Sequence, residues 1–478
     1  MPDVSHSPLL TVLQTHARLR ADKLALIVGD TVVSYSQLWR GILFAASFLQ
    51  KKGLAHGDTL GIRAQKGLGF VFAYFGAQVL GVANVVLDPE ANPNRLKYIL
   101  DLTQPKLVLE DQDLEFTEGA EPAQNPEPLS KDDVAEIVFT TGTTGTAKGV
   151  LLTHFNVFSS ADNINGFIGN TKDDIEVLGL PICHSFGLGR LRCCLLKGAT
   201  VVLISSFANI KIFFQTLERF HATGFGMVPA VWAYVRKFSG TRIAKYAPQI
   251  RYIEIGSAAM PIESKRELCE LFPTTRICHH YGLTEASRST FMEYHESLAA
   301  DDLKTIGREV SDKVWIKVLG DDGREMPIGE SGEICVKGNM VMKGYFKAEE
   351  TAKAYFGDYF RTGDEGFRGV NGNLYLVSRK KEIINVGGKK VSPVEVEDAI
   401  IALGVEDCVV VGVPDPNGVL GEVPKCYVLQ GGTSRSFEDI QAALCGKLEP
   451  YKIPLLWDWV VQIPKTTSGK KQRLQMKK

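Results

Sequence analysis

The 478-residue chain has no charge excess of either sign: 54 Lys and Arg face 55 Asp and Glu, for a formal net charge of -1. Without such an excess there is no electrostatic case for nucleic acid or an anionic membrane surface as partner. No CxxC pair occurs. The nine cysteines are odd in number and scattered. Cys193 and Cys194 are adjacent, a spacing that rarely serves a metal or a disulfide, so reduced, mostly buried thiols in a cytoplasmic protein are expected. No basic stretch leads into an apolar one at the start, so no signal peptide is expected. No bilayer-length apolar run is free of polar residues. The nearest, 67–87, contains Gln78, Asn84 and several glycines; it predicts a buried helix to about Val79, a turn at Gly81 and a short strand over 83–87. Internal repeats are absent. One biased tract, the acidic and Pro-rich 111–130, is expected to be a surface loop.

What remains is ordinary globular material, 45% hydrophobic and 23% charged, too long for one hydrophobic core. Apolar runs over 177–180, 199–204 and 252–255 read as strands buried on both faces, and amphipathic helices alternate with them. Ser34 and Gln37 form a capping box, Leu38, Trp39, Ile42, Ala45, Ala46 and Leu49 share one helical face, and Gly53 supplies the stop. The alternation predicts an α/β architecture. Composition shifts after a turn at 371–373. A helix near 395–403 and strands at 408–413 and 425–429 then predict a small second domain of about a hundred residues.

The strongest local signal follows a predicted strand over 136–139. Residues 140–149 read TTGTTGTAKG. Small residues let the backbone turn so that successive N–H groups face an anion, as the pyrophosphate part of ATP requires. Thr140, Thr141, Thr143 and Thr144 add hydroxyls, Gly142 and Gly145 add freedom, and Lys148 adds charge. It is not a Walker A loop, because Lys148 does not directly follow Gly145 and Gly149 stands where Ser or Thr should be. Alone, the segment reads equally well as a Thr/Gly-rich surface turn.

Four further segments accompany it: YGLTE at 281–285, YFRTGDE at 359–365, SRKKEIINVGG at 378–388 and PKTTSGK at 464–470. Jointly and in this order they resemble the adenylate-forming superfamily of acyl-CoA synthetases, non-ribosomal peptide adenylation domains and beetle luciferases, over nearly the whole chain. The resemblance implies a large, multi-subdomain N-terminal α/β domain over 1–378 and a small mobile α+β domain over 379–478. It implies ATP, Mg²⁺ and coenzyme A as reactants. A carboxylate attacks the α-phosphorus of ATP to give acyl-AMP and pyrophosphate, and a thiol then takes the acyl group. Negative charge gathers on the α-phosphoryl oxygens, which calls for a fixed cation and donors.

On this resemblance Lys470 is the catalytic cation, Ser468 and Gly469 lending it reach. Asp364 holds the ribose hydroxyls with Arg379 beside it, Glu285 is the Mg²⁺ ligand, Thr284 donates to the α-phosphate, and Tyr281 with Gly282 lies against adenine. His184 orients the reacting carboxylate. Gly256, Ser257 and Ala258 wall the acyl and adenine pocket, and Phe186, Gly187, Met227 and Val228 line its acyl end. The family rotates the small domain about a hinge, here Lys381, and passes pantetheine by Gly387 and Gly388. The bland counterparts are a solvated basic tail for Lys470, Lys471 and Arg473, a capped turn for Asp364, and core packing for His184, Phe186 and Tyr281. Arg288 could meet a second substrate carboxylate, although a surface ion pair is the simpler expectation. Cys278, His279 and His280 receive no metal role.

Two departures stand out. Ser378 replaces the Gly that usually precedes the Arg, and Asn385 stands where luciferases carry a functional Lys, which speaks against light emission. The stretch around His184 has no carboxylate to hold a substrate ammonium, which argues against α-amino acids. A fatty or other hydrophobic acid is expected, with an aryl acid as alternative. A separate carrier protein's phosphopantetheine is the alternative acceptor, and a non-catalytic nucleotide-binding relative is a third reading.

Overall fold

The computed structural model describes residues 7–91, 93–115, 129–141, 147–387, 389–466 and 470–477. Among these, three sheets build the first domain. The first has nine strands, and its centre is parallel: Tyr252–Ile255 lies between Gly224–Met227 and Arg276–Leu283, and every residue of the first two strands is buried. A six-stranded sheet pairs Ala83–Val86 with Thr59–Arg63 on one side and Val134–Thr141 on the other. A five-stranded antiparallel sheet carries Gly332–Gly338, Tyr359–Arg368 and Leu374–Arg379. One continuous core gathers side chains from Leu9 to Leu374. A second core runs from Ile384 to Ile453, under a three-stranded sheet and the helix Pro393–Ile401.

Local chemistry explains the elements. The helix Tyr35–Lys51 begins with the expected capping box between Ser34 and Gln37. The apolar stretch becomes the helix Leu68–Val79, a left-handed Gly81 and the strand Ala83–Val86. No helix among the described residues is long and apolar enough to cross a membrane.

Several details differ from the sequence reading. The strand expected over 177–180 is Ile175–Leu178, because the Lys66 ammonium takes the carbonyls of Gly179 (2.6 Å) and Leu180 (2.9 Å) out of the ladder. The two ends of the segment 140–149 are strand rather than loop: Thr140 faces Lys148 and Thr141 faces Ala147 across the antiparallel pair Val134–Thr141 and Ala147–Thr153. Residues 142–146 lie outside the described residues. Gly387 sits not in a strand but in the left-handed turn between Ile384–Val386 and Lys389–Val391, its N–H held by the Leu420 carbonyl at 2.8 Å. Gly388 lies outside the described residues, as do Ser468 and Gly469.

Candidate active site

Asp364 and Arg379 are register partners on the adjacent strands Tyr359–Arg368 and Leu374–Arg379, which is why their side chains meet. The Arg379 Nε lies 2.7 Å from Asp364 Oδ1, and the Tyr281 hydroxyl donates to Oδ2 at 2.6 Å. Asp364 is buried, and that burial raises its pKa even though Arg379 and Tyr281 pull it down. A carboxylate offers about four acceptor positions, so two donors leave room for ribose hydroxyls. Arg379 also donates to the Thr362 carbonyl at 3.1 Å, which aims the guanidinium.

Glu285, in the turn after Arg276–Leu283, is buried. Its Oε1 accepts the Tyr345 hydroxyl at 2.8 Å, and the Lys148 ammonium sits 4.6 Å from the centre of the same tyrosine ring. Tyr345 thus ties the threonine-rich hairpin to the acidic residue. Nothing in the sequence marked it, since the two-residue strand Gly344–Tyr345 only pairs with the edge of the hairpin after folding.

Lys470 comes to this same place from the second domain. Lys470 is exposed to solvent, although protein atoms crowd around its ammonium. Burial lowers its pKa and Arg379 repels it, while Asp364, Glu285 and Glu382 attract it. Segments up to 185 positions apart, from Glu285 to Lys470, thus come within electrostatic reach of one another.

Residues 256–258 and Gly282 are shaped by backbone constraint. Ser257 adopts a left-handed φ of 72°, which few non-glycine residues tolerate outside functional sites. At Gly256 a Cβ would lie 1.9 Å from the His280 ring, and at Gly282 1.6 Å from the Ser287 carbonyl oxygen. His280 cannot easily retreat, because its Nδ1 is 2.7 Å from Glu254 Oε1. Gly256→Ala is therefore expected to cost about 1–3 kcal/mol of stability by overpacking and to raise KM for the acid, as thermal unfolding and steady-state kinetics will show. The Ala258 carbonyl contacts His279 Nε2 at 3.1 Å.

Phe186 packs edge-on against the His280 ring at 4.8 Å, and Met227 and Val228 are buried at the end of the neighbouring strand. Gly187 lies in the first turn of the helix Ser185–Lys197. His184 caps that helix by position. It shares a recess with Asp88, Arg95, Phe139 and Cys183, and burial lowers its pKa while Asp88 opposes the shift. Thr284 lines a separate, mostly apolar recess with Leu152, Val157 and Met340 as well as Ser160, Ser185 and Ser287. Lys381 is exposed in the turn that leaves the first domain, after Lys380, which is held by Asp321 at 2.7 Å and Glu333 at 3.2 Å.

Arg288 overturns its expectation of a surface ion pair. It is buried beneath the wall, 3.0 Å from Glu254, and donates to the Phe186 carbonyl at 3.1 Å. Glu254 also meets Arg190 at 3.0 Å, and Arg190 reaches Glu176 at 2.9 Å. Burial raises the Glu254 carboxyl, but Arg288 and Arg190 outweigh it and hold the group well below the ordinary range.

Buried histidines make stability pH-dependent. Burial pushes both His280 and His154 down to about 4 from an ordinary 6.5. As pH falls through 6.5 the unfolded chain binds protons that the folded chain refuses, so the stability present above 6.5 is lost progressively toward 4. The unfolding midpoint is expected to fall across that window, and His154→Gln to flatten part of the fall.

The fold and this cluster define an AMP-forming acid–thiol ligase. The AMP-binding enzyme family matches residues 13–346 and the AMP-binding enzyme C-terminal domain matches residues 395–470, and the chain belongs to this family. It is 28% identical to a 2-succinylbenzoate–CoA ligase of Bacillus licheniformis, over 96% of this chain and 98% of that one. It is 27% identical to a 4-coumarate–CoA ligase of Humulus lupulus, over 98% and 94%. The o-succinylbenzoate CoA synthetase of Bacillus subtilis in complex with its acyl-adenylate superposes with a TM-score of 0.89 at 27% identity, covering 98% of each chain. The same enzyme in complex with ATP and magnesium gives 0.89 at 26%, over 98% of this chain and 99% of that one.

Proposed function

We propose that the chain is an acyl-CoA ligase for a hydrophobic acid, fatty in the first instance and aryl as the alternative. The observation that carries the adenylation half is the convergence of Lys470 with Asp364, Arg379 and Glu285. Lys470 neutralises charge developing on the α-phosphoryl oxygens, Thr284 donates to the same group, and Asp364 with Arg379 holds the ribose. Thr140, Thr141 and Lys148, together with Gly142, Thr143, Thr144 and Gly145, receive the pyrophosphate portion. Tyr281, Gly282 and Gly256–Ala258 border the adenine. His184 orients the acid, and Phe186, Gly187, Met227 and Val228 enclose its tail.

Glu285 suits Mg²⁺: its buried carboxylate is fixed by Tyr345 yet keeps acceptor positions, and Mg²⁺ favours one or two carboxylates plus phosphate oxygens. When bound there, the ion would offset the negative charge of the phosphates.

The domain division at 378–379 and the hinge at Lys381 supply the second half-reaction. Rotation about Lys381 withdraws Lys470 and brings the Gly387–Gly388 turn to the acyl carbon for a pantetheine thiol.

The acyl wall supports a tail without a second charge. Arg288 and Arg190 beneath it are matched by Glu254 and Glu176, so neither of these two is free to meet another carboxylate. The test is pyrophosphate release across acids of varied length, ring content and second charge. Preference for a second anion on the acid would defeat the substrate reading. Coenzyme A and a phosphopantetheinylated carrier protein, compared as acceptors, decide the thiol.

A further inference from the structure

Lys470 is delivered by a tail that is clamped. The Gln472 N–H donates to the Pro464 carbonyl at 2.9 Å, the Thr466 N–H to the Lys470 carbonyl at 2.8 Å, and the Lys470 N–H to Thr466 Oγ1 at 3.1 Å. Lys465 and Lys471 form an antiparallel bridge. In such extended backbone, neighbouring side chains point to opposite sides. Lys471 turns inward, so Lys470, one position before it, turns to the opposite side, where Asp364 and Glu285 attract it.

What holds Lys471 and Arg473 is Glu397 on the helix Pro393–Ile401, a residue only 3% exposed. Its Oε1 accepts Arg473 Nε at 2.9 Å and the Val410 N–H at 2.9 Å. Its Oε2 accepts an Arg473 terminal nitrogen at 2.8 Å and the Lys471 ammonium at 2.9 Å. Asp407 adds a second anchor, 3.0 Å from Lys471 and 2.6 Å from Lys465. Arg473 also reaches Glu382, next to Lys381, at 2.7 Å. Every member of this network follows Lys381 in the chain, so a rotation at that residue would move it as one body.

We infer that Glu397 is a positioning residue for adenylation: by fixing Lys471 and Arg473 it sets where the Lys470 ammonium stands when the domains are closed. The inference rests on the proposed role of Lys470. It follows the rule that charge-assisted, bidentate pairs impose geometry and that small misplacements of a reacting group cost large factors in rate.

The test measures both half-reactions in the full-length protein: acid-dependent pyrophosphate exchange, and thioester formation from supplied acyl-adenylate. Glu397→Gln is expected to lower the first about 10- to 100-fold, in kcat with KM for ATP little changed, and to leave the second nearly intact. In a Lys470→Ala background the same substitution is expected to add almost nothing. Arg473→Lys keeps the charge but loses the bidentate pair, and serves as the milder variant should Glu397→Gln fold poorly; it is expected to shift the two half-reactions in the same unequal way. Equal loss in both half-reactions, full additivity with Lys470→Ala, or no loss in exchange overturns the inference. If Lys470→Ala itself leaves exchange intact, the role of Lys470 falls and takes this one with it. If Lys470→Ala is impaired and the two clamp variants are not, only the clamp falls.

Discussion

Lys470→Ala is expected to slow acyl-adenylate formation about 10²- to 10³-fold, the scale for losing one pre-positioned donor to a developing anion, or about 2.7–4 kcal/mol. The substitution removes the group that Asp364, Glu285 and Glu382 attract. It removes no described contact that holds the tail, because Lys465, Lys471 and Arg473 make the ion pairs. Thioester formation from supplied acyl-adenylate is expected to survive, since the proposed rotation about Lys381 takes the lysine out of the site for that step. Measuring the two half-reactions separately checks this. Equal damage to both would end the assignment of Lys470 to the first step alone.

The two classes of information in the chain were unequally legible. Local signals survived folding unchanged: the Ser34 capping box, the turn at Gly81 and the strand Tyr252–Ile255 depend on neighbours a few residues away. Asp364 and Arg379 were also readable, being 15 positions apart on adjoining strands, and motif spacing records that geometry. Three things were not. Glu254, Arg190, Arg288 and His280 form one buried network, but no periodicity in the sequence announces a buried charge, and Arg288 was expected at the surface. Tyr345 reaches Glu285 across 60 positions, and Glu397 reaches Arg473 across 76. Such partners are chosen by tertiary packing, which single-residue preferences do not encode. The strand ends at 140–141 and 147–149 escape the sequence for a related reason: Thr favours pleated strands as well as turns, and only the pairing partner decides.

The buried network yields the second large effect. Glu254→Ala is expected to cost about 3–5 kcal/mol of stability, a large share of the roughly 5–15 kcal/mol that holds a typical domain. Arg190 keeps Glu176, but Arg288 keeps only carbonyl oxygens, at 3.1 Å to Phe186 and 3.4 Å to Ser185. A guanidinium without its carboxylate, in a place where water cannot reach it, is the source of the cost. Because Arg288 supports Phe186 and His280 stands against Gly256, the acid's KM should rise as well. Removing the charge from both sides should hurt less than removing it from one. The double variant Glu254→Leu with Arg288→Met is expected to unfold at higher denaturant than Glu254→Ala, because replacing a buried pair by apolar groups of similar volume avoids the stranded ion. A double variant as unstable as the sum of the two single changes would show that these side chains act independently, and that the charge pairing beneath the acyl wall does not hold it in place.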